Sequence, residues 1–116
     1  MSDLRKQILE SADLSHEDVK IPEWGVTIRV VSPTVRERAR IVSAFMGPDG
    51  KPDLEAMYPA LVIATATDPK TGERLFTDAD AEALAGKNGR AMERAAKAAM
   101  TVAGMNDDTI DVGKDA

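Results

Sequence analysis

From Ala56 to Ala66 the chain carries no charged side chain at all. An uncharged run of this length, rich in Leu, Val, Ile and Ala, cannot be left in water and must form the centre of whatever the chain folds into. Asp53 in front of it is an N-cap residue, so the spacing predicts a helix from Leu54 to about Thr67. Pro59 falls past the first turn and predicts a bend there or a late start. With one Trp, one Tyr and two Phe in 116 residues, aliphatic and Ala side chains must fill the core, which favours closely packed helices. A chain of this length is one domain.

Other helices are read around this one. Leu4, Ile8, Leu9 and Ala12 recur at helical spacing in the segment from Ser2 to about Ala12, with Arg5, Lys6 and Glu10 elsewhere on the wheel. Ser32-Pro33 reads as an N-cap followed by Pro at the first helical position. It opens a helix to Met46 expected to bury Val35, Ala39, Val42, Phe45 and Met46 and to display Arg36, Glu37 and Arg40. Thr77 is expected to cap a short helix, Asp78 to Ala85, with Asp80 in the capping-box position. Asn88 is expected to cap the last helix, about Gly89 to Ala103, with Met92, Ala95, Ala96, Ala99 and Val102 on one face and Gly104 ending it.

Between the first two helices, Val19-Lys20-Ile21 and Val26 to Val31 alternate like strands, and Pro22 and Gly25 bracket a turn. Asp13 to Asp18 reads as a polar connection. A lone hairpin is marginal, so it must pack on helices. The fold class is α+β, mainly α: a small N-terminal β-hairpin packed on a bundle of four to five helices. The domain is expected to cover 1–104, with 105–116 an acidic, disordered tail. The loop Gly47 to Pro52 is expected to be the flexible spot in the middle of the chain.

Composition excludes several functions. There is no Cys, hence no disulfide and no thiol nucleophile. Twenty acidic against fifteen basic side chains leave a net charge of −5, which opposes binding to a phosphate backbone. No apolar run approaches the ~20 residues that span a bilayer, and the first residues lack a signal-peptide core. The expected location is the cytoplasm, with no nucleic acid and no membrane as partner. His16, the single histidine, lies among Ser15, Glu17 and Asp18 and lacks the companions of a zinc site. Asp78, Asp80 and Glu82 lack the twelve-residue calcium loop and suit a helix N-terminus instead. Neither Gly47-Pro-Asp-Gly nor Gly86-Lys-Asn-Gly has the pattern of a phosphate loop. The chain reads as a non-enzyme without cofactor or metal, acting by binding protein.

Two features could serve binding. Trp24, in the hairpin turn, either plugs the core or anchors a partner. Leu4, Ile8 and Leu9 dock either on this chain's own core or on another chain.

Three stretches, taken in order, carry a resemblance. The first is Ile21-Pro22-Glu23-Trp24-Gly25-Val26-Thr27-Ile28-Arg29-Val30, followed at once by a helix containing Val35-Arg36-Glu37-Arg38-Ala39-Arg40. The second is Gly72-Glu73-Arg74-Leu75-Phe76-Thr77-Asp78-Ala79-Asp80, with Leu84 and Lys87 after it, and the third is a final helix with Met92-Glu93-Arg94. In order and spacing the chain resembles, over roughly residues 1–104, the small tail assembly chaperones encoded by long-tailed bacteriophages and prophages. The resemblance implies a protein that coats the tape measure protein and keeps it soluble while the tail tube assembles around it. It further implies a homo-oligomer, absence from the finished virion, and in many members a longer product, made by ribosomal frameshifting, that recruits the tail tube protein. The candidate contacts are then Leu4, Ile8, Leu9, Trp24, Met92 and Met100, Met being suited to variable apolar clients. Two other readings stay open. One is a head–tail connector or tail completion protein retained in the virion. The other is a regulator binding nucleic acid through Arg36, Arg38, Arg40, Arg90 and Arg94, which the net charge disfavours.

Overall fold

The computed structural model describes residues 3–105. Its elements run α1 (Asp3–Glu10), β1 (His16–Ile21), β2 (Val26–Val31), α2 (Val35–Phe45), α3 (Leu54–Thr65), β3 (Ala66–Thr67), a 3₁₀ turn (Asp78–Asp80), α4 (Ala81–Ala85) and α5 (Gly89–Ala103). The class is α+β and mainly α, as the sequence patterning predicts.

The uncharged run becomes α3, which packs against α2, α4, α5 and β2 at once. Met57, Leu61 and Val62 are buried on it together with Pro59. Asp53 accepts a hydrogen bond from the Ala56 N–H at 3.1 Å. The helix runs through Pro59 without interruption. The carbonyl that loses its intrahelical donor to Pro59 is that of Glu55, an exposed first-turn residue where water can replace it.

The second half of the core comes from α5, whose buried face is Ala91, Met92, Ala95, Ala96, Ala98, Ala99 and Ala103. A face of Ala lets neighbouring backbones approach closely, and α5 lies against α3 and both hairpin strands. Asn88 caps it as expected, accepting from the Ala91 N–H at 3.0 Å. At the far end Gly104 turns left-handed at φ 70°, and the Met105 N–H returns to the Met100 carbonyl at 2.8 Å. This six-to-one closure needs the positive φ that Gly supplies without cost. Met105, placed in the tail by the sequence reading, is buried beneath it; the rest of that tail lies outside the described residues.

The hairpin forms across the expected turn, and its register sets Ile21 opposite Val26 and Asp18 opposite Arg29. β1 begins three residues earlier than its apolar alternation indicates. His16, Glu17 and Asp18 are exposed and polar, so nothing in their hydropathy marks them as a strand, yet they pair with Val31, Val30 and Arg29. The sheet also gains a strand the sequence pattern does not signal. The chain leaves α3 at Thr65, two residues before the expected end, and Ala66 and Thr67 pair antiparallel with Val30 and Arg29. The Thr67 hydroxyl donates to the Arg29 carbonyl at 2.8 Å. The open edge of β2 takes these residues from the helix.

α2 departs most from expectation. Its N-cap is Thr34, not Ser32, in a complete capping box: the Glu37 N–H donates to Thr34 Oγ1 at 3.2 Å and the Thr34 N–H to Glu37 Oε1 at 2.9 Å. Ser32 is committed elsewhere, its hydroxyl accepting from the Ser15 N–H at 3.1 Å and its own N–H donating to the Ser15 carbonyl at 2.8 Å. The buried residue of α2 is Ile41, at 0% exposure, with Phe45 packed beside the core. Val35, Ala39, Val42 and Met46, expected inside, face out.

Candidate protein-interaction surface

α2 carries apolar side chains on two sides. Ile41 and Phe45 supply the side that meets the core. Val35, Ala39, Val42 and Met46 recur at i, i+4, i+7 and i+11, within about 60° of one another at 100° per residue, and form a second stripe. Val35 is 89% exposed, and Val42 and Met46 are close to half exposed. The period alone could not tell the two sides apart, because both satisfy helical spacing. Only the seating of α2 on α3 decides which goes in.

The side chains flanking this stripe are basic. By the same helical geometry Arg36 and Arg40 lie along one edge and Arg38 along the other. Arg38 is engaged, its Nη1 donating to the Ala103 carbonyl at the end of α5, where the helix dipole and an orphan carbonyl both favour a cation. Arg36 and Arg40 are exposed and, among the described residues, form no ion pair. Other charges are matched locally. Arg29 meets Asp18 at 2.7 Å through Nε and 3.2 Å through Nη2. Arg74 pairs with Glu37 while donating to the Ala64 carbonyl at 2.7 Å. These two line a shallow groove of 320 Å³ with Arg40, Ile63 and Phe76.

α1 presents a further apolar face. Leu4, Ile8 and Leu9 are 61–66% exposed and no α1 residue is buried. Of the two sites open to them on the sequence, this chain's own core is not the one they occupy.

The remaining candidates divide. Trp24 is half-buried and packs against the core, held by a turn in which its N–H donates to the Ile21 carbonyl at 3.1 Å and Gly25 takes φ 66°. Its neighbour Glu23 receives the Arg94 Nε at 3.1 Å and so fastens the turn to α5. Met92 is 4% exposed and belongs to the core, which leaves it no surface to present; Met100 is half-buried at the core's edge. The described residues therefore bring Leu4, Ile8 and Leu9 to the surface, keep part of Trp24 and Met100 there, and enclose Met92. They add Val35, Ala39, Val42 and Met46, which sequence reasoning assigned to the interior.

Among the described residues no group of three or more His, Cys, Asp or Glu side chains is placed to hold a metal ion. No described helix is long and apolar enough to cross a membrane.

The architecture has a counterpart of known structure. The bacteriophage HK97 tail assembly chaperone superposes with a TM-score of 0.62 over 92% of this chain and 97% of its own, at 22% sequence identity. The chain has the fold of a tail assembly chaperone. At that identity the likeness is one of backbone architecture, and it extends over nearly the whole length of both proteins. No protein-family model matches the sequence, and comparison with curated proteins gives no match. The tail-assembly-chaperone fold in this chain thus exposes two apolar helical faces, on α1 and α2, around a core closed by α3 and α5.

Proposed function

We propose that this chain is a non-catalytic phage tail assembly chaperone, one that binds the tape measure protein and keeps it soluble in the host cytoplasm while the tail tube assembles. The observation that carries the reading is the pair of exposed apolar helical faces, Leu4-Ile8-Leu9 and Val35-Ala39-Val42-Met46, on the fold shared with the HK97 protein. A long helical client exposes apolar stripes of the same period, and each Leu, Ile or Val side chain withdrawn from water on contact contributes about 1.5–3 kcal/mol. Helix-in-groove contacts of this kind use i, i+3, i+4 and i+7 anchors. Several copies would be needed to cover a long client, which supports a homo-oligomer. A longer frameshifted product reaching the tail tube protein belongs to the same proposal.

Co-expression tests it. The tape measure protein should move from the pellet to the soluble fraction with the wild-type chain, and return to the pellet with Ile8→Ser/Leu9→Ser or Val35→Ser/Val42→Ser. These positions are exposed, so the variants should keep the wild-type melting temperature. If the wild-type chain leaves its client insoluble, the proposal fails.

A further inference from the structure

The sheet ends on an open edge. Its strand order is β1-β2-β3, so the outer side of β1 meets no strand among the described residues. The phase of the ladder decides which backbone groups point there. The Ser32 N–H donates to the Ser15 carbonyl at 2.8 Å, which makes Ser15 and Ser32 a hydrogen-bonded pair. Alternation along an antiparallel ladder then turns the N–H and C=O groups of Glu17, Val19 and Ile21 toward β2, and those of His16, Asp18 and Lys20 outward. Arg29, opposite Asp18, points away from β1 in the same alternation, and there it meets Thr67 of β3. Asp18 and Lys20 are exposed and share one face of the strand. Asp18 holds Arg29, while Lys20 forms no ion pair among the described residues. An open strand edge is a template for another strand, and the charges along this one select what can pair with it.

We infer that β1 pairs antiparallel with β1 of a second copy about a two-fold axis at Val19, joining the two sheets into one. Two-fold symmetry allows only registers in which one residue of the strand faces its own counterpart. Centred on Val19, Asp18 stands opposite Lys20 of the second copy, and Lys20 opposite its Asp18. Both are positions whose backbone groups point outward, so one register satisfies the free donors and acceptors and sets opposite charges side by side. Lys20 of the second copy meets a carboxylate that already binds Arg29, and a carboxylate has acceptor sites for both. Val19, packed at the margin of the core, meets its counterpart at a non-hydrogen-bonded position, where side chains come closest. The neighbouring registers are opposed. Centring on Asp18 puts two carboxylates face to face, and centring on Lys20 does the same with two ammonium groups; like charges directly opposite destabilise a strand pair. Exposed charge pairs contribute little each, so the contact is weak and reversible. It gives the homo-oligomer of the functional reading a defined seam, yet it stands on β1 alone, so failure of the client-solubility test leaves it in place.

Equilibrium sedimentation of the full chain tests it. The wild-type chain should show a dimer whose share rises with concentration. Lys20→Glu sets like charges opposite Asp18, and Asp18→Lys sets like charges opposite Lys20, so each variant alone should associate about tenfold more weakly. Mixed one to one, the two should associate like wild type, because the mixed pair restores opposite charges at both positions. A second readout fixes the register without those variants. Val19→Cys, the sole thiol in a chain without cysteine, should form a disulfide-linked dimer under mild oxidation, its Cα atoms being about 4.5 Å apart. Glu17→Cys should not, because the two thiols would lie about 13 Å apart along the strands. A wild-type chain that stays monomeric throughout the dilution series overturns the inference. So does a dimer that Lys20→Glu leaves intact, or equal cross-linking through Glu17→Cys, either of which would assign association to another surface.

Discussion

The guanidinium of Arg38 on α2 binds the carbonyl oxygen of Ala103, sixty-five residues later at the end of α5. One side chain thus supplies a hydrogen bond to a helix-terminal carbonyl, places a cation at the negative end of the helix dipole, and ties two elements that share no run of sequence. Arg38→Ala should cost about 1–2 kcal/mol, and Arg38→Lys should recover only part of it, because Lys has no planar fork. Gly104→Ala, forced to φ 70°, should cost about 1 kcal/mol by itself. Chemical denaturation measures both. An Arg38→Ala variant as stable as wild type would show that the contact does not hold α2 to α5.

The two sides of α2 should respond differently to truncation. Ile41 is fully buried, so Ile41→Ala should cost about 2–5 kcal/mol. Val42→Ala, one residue on, should stay within about 0.5 kcal/mol. The opposite ranking in thermal unfolding would mean that α2 is rotated toward the side its sequence pattern first suggests.

Thr34 and Ser32 compete for the role of N-cap. With the capping box at Thr34 and Glu37, Thr34→Ala should cost about 1 kcal/mol, roughly 4 °C in melting temperature for a domain of this size. Ser32→Ala loses a single exposed hydrogen bond to the Ser15 N–H and should cost less. A larger effect at Ser32 would place the helix start two residues earlier.

Acid should weaken the hairpin through two carboxylates. Asp18 is held below its ordinary value of 3.8 first by the hydrogen bond from Arg29, against a smaller desolvation cost. Glu23 is held below 4.5 first by a hydrogen bond to its own backbone, with Arg94 adding to it. A carboxyl whose pKa is depressed on folding stabilises the native state above its unfolded pKa, and that contribution disappears as pH falls through the folded value. Stability should therefore fall below 4.5 for Glu23 and below 3.8 for Asp18. Asp18→Asn/Glu23→Gln should lose less stability than wild type between about pH 5 and about pH 2. Matching pH profiles for the two proteins would remove these pairs from the account.

Local rules read the sequence well where the signal is local. Asp53 and Asn88 as caps, Gly104 as a stop, the Pro22–Gly25 turn and the central burial of α3 all follow from side chains acting on their own backbone or from a run too apolar to expose. The apolar face of α1 was legible as well, and its exposure is what the sequence left open. His16 to Asp18 gave no strand signal, because an edge strand with both faces in water needs no alternation. Met92 and the α2 stripe were assigned to opposite places from those they occupy, since helical period identifies a face without saying what it meets.

The sequence by itself determined the class, an α+β domain built on one helix that carries no charge beyond Glu55 in its first turn, with an aromatic-poor, Ala-lined partner, and the places where most helices start and stop. Those follow from desolvation and from backbone capping, which act within a few residues. Tertiary structure decided the rest: that Ala66 and Thr67 leave α3 to pair with β2, that Thr34 replaces Ser32 as cap, and that Ile41 turns inward while Val35 and Val42 remain outside. Each of these is settled by a partner far away in sequence, an open strand edge, a hairpin end at Ser15 or the surface of α3, whose position does not exist until the chain has folded.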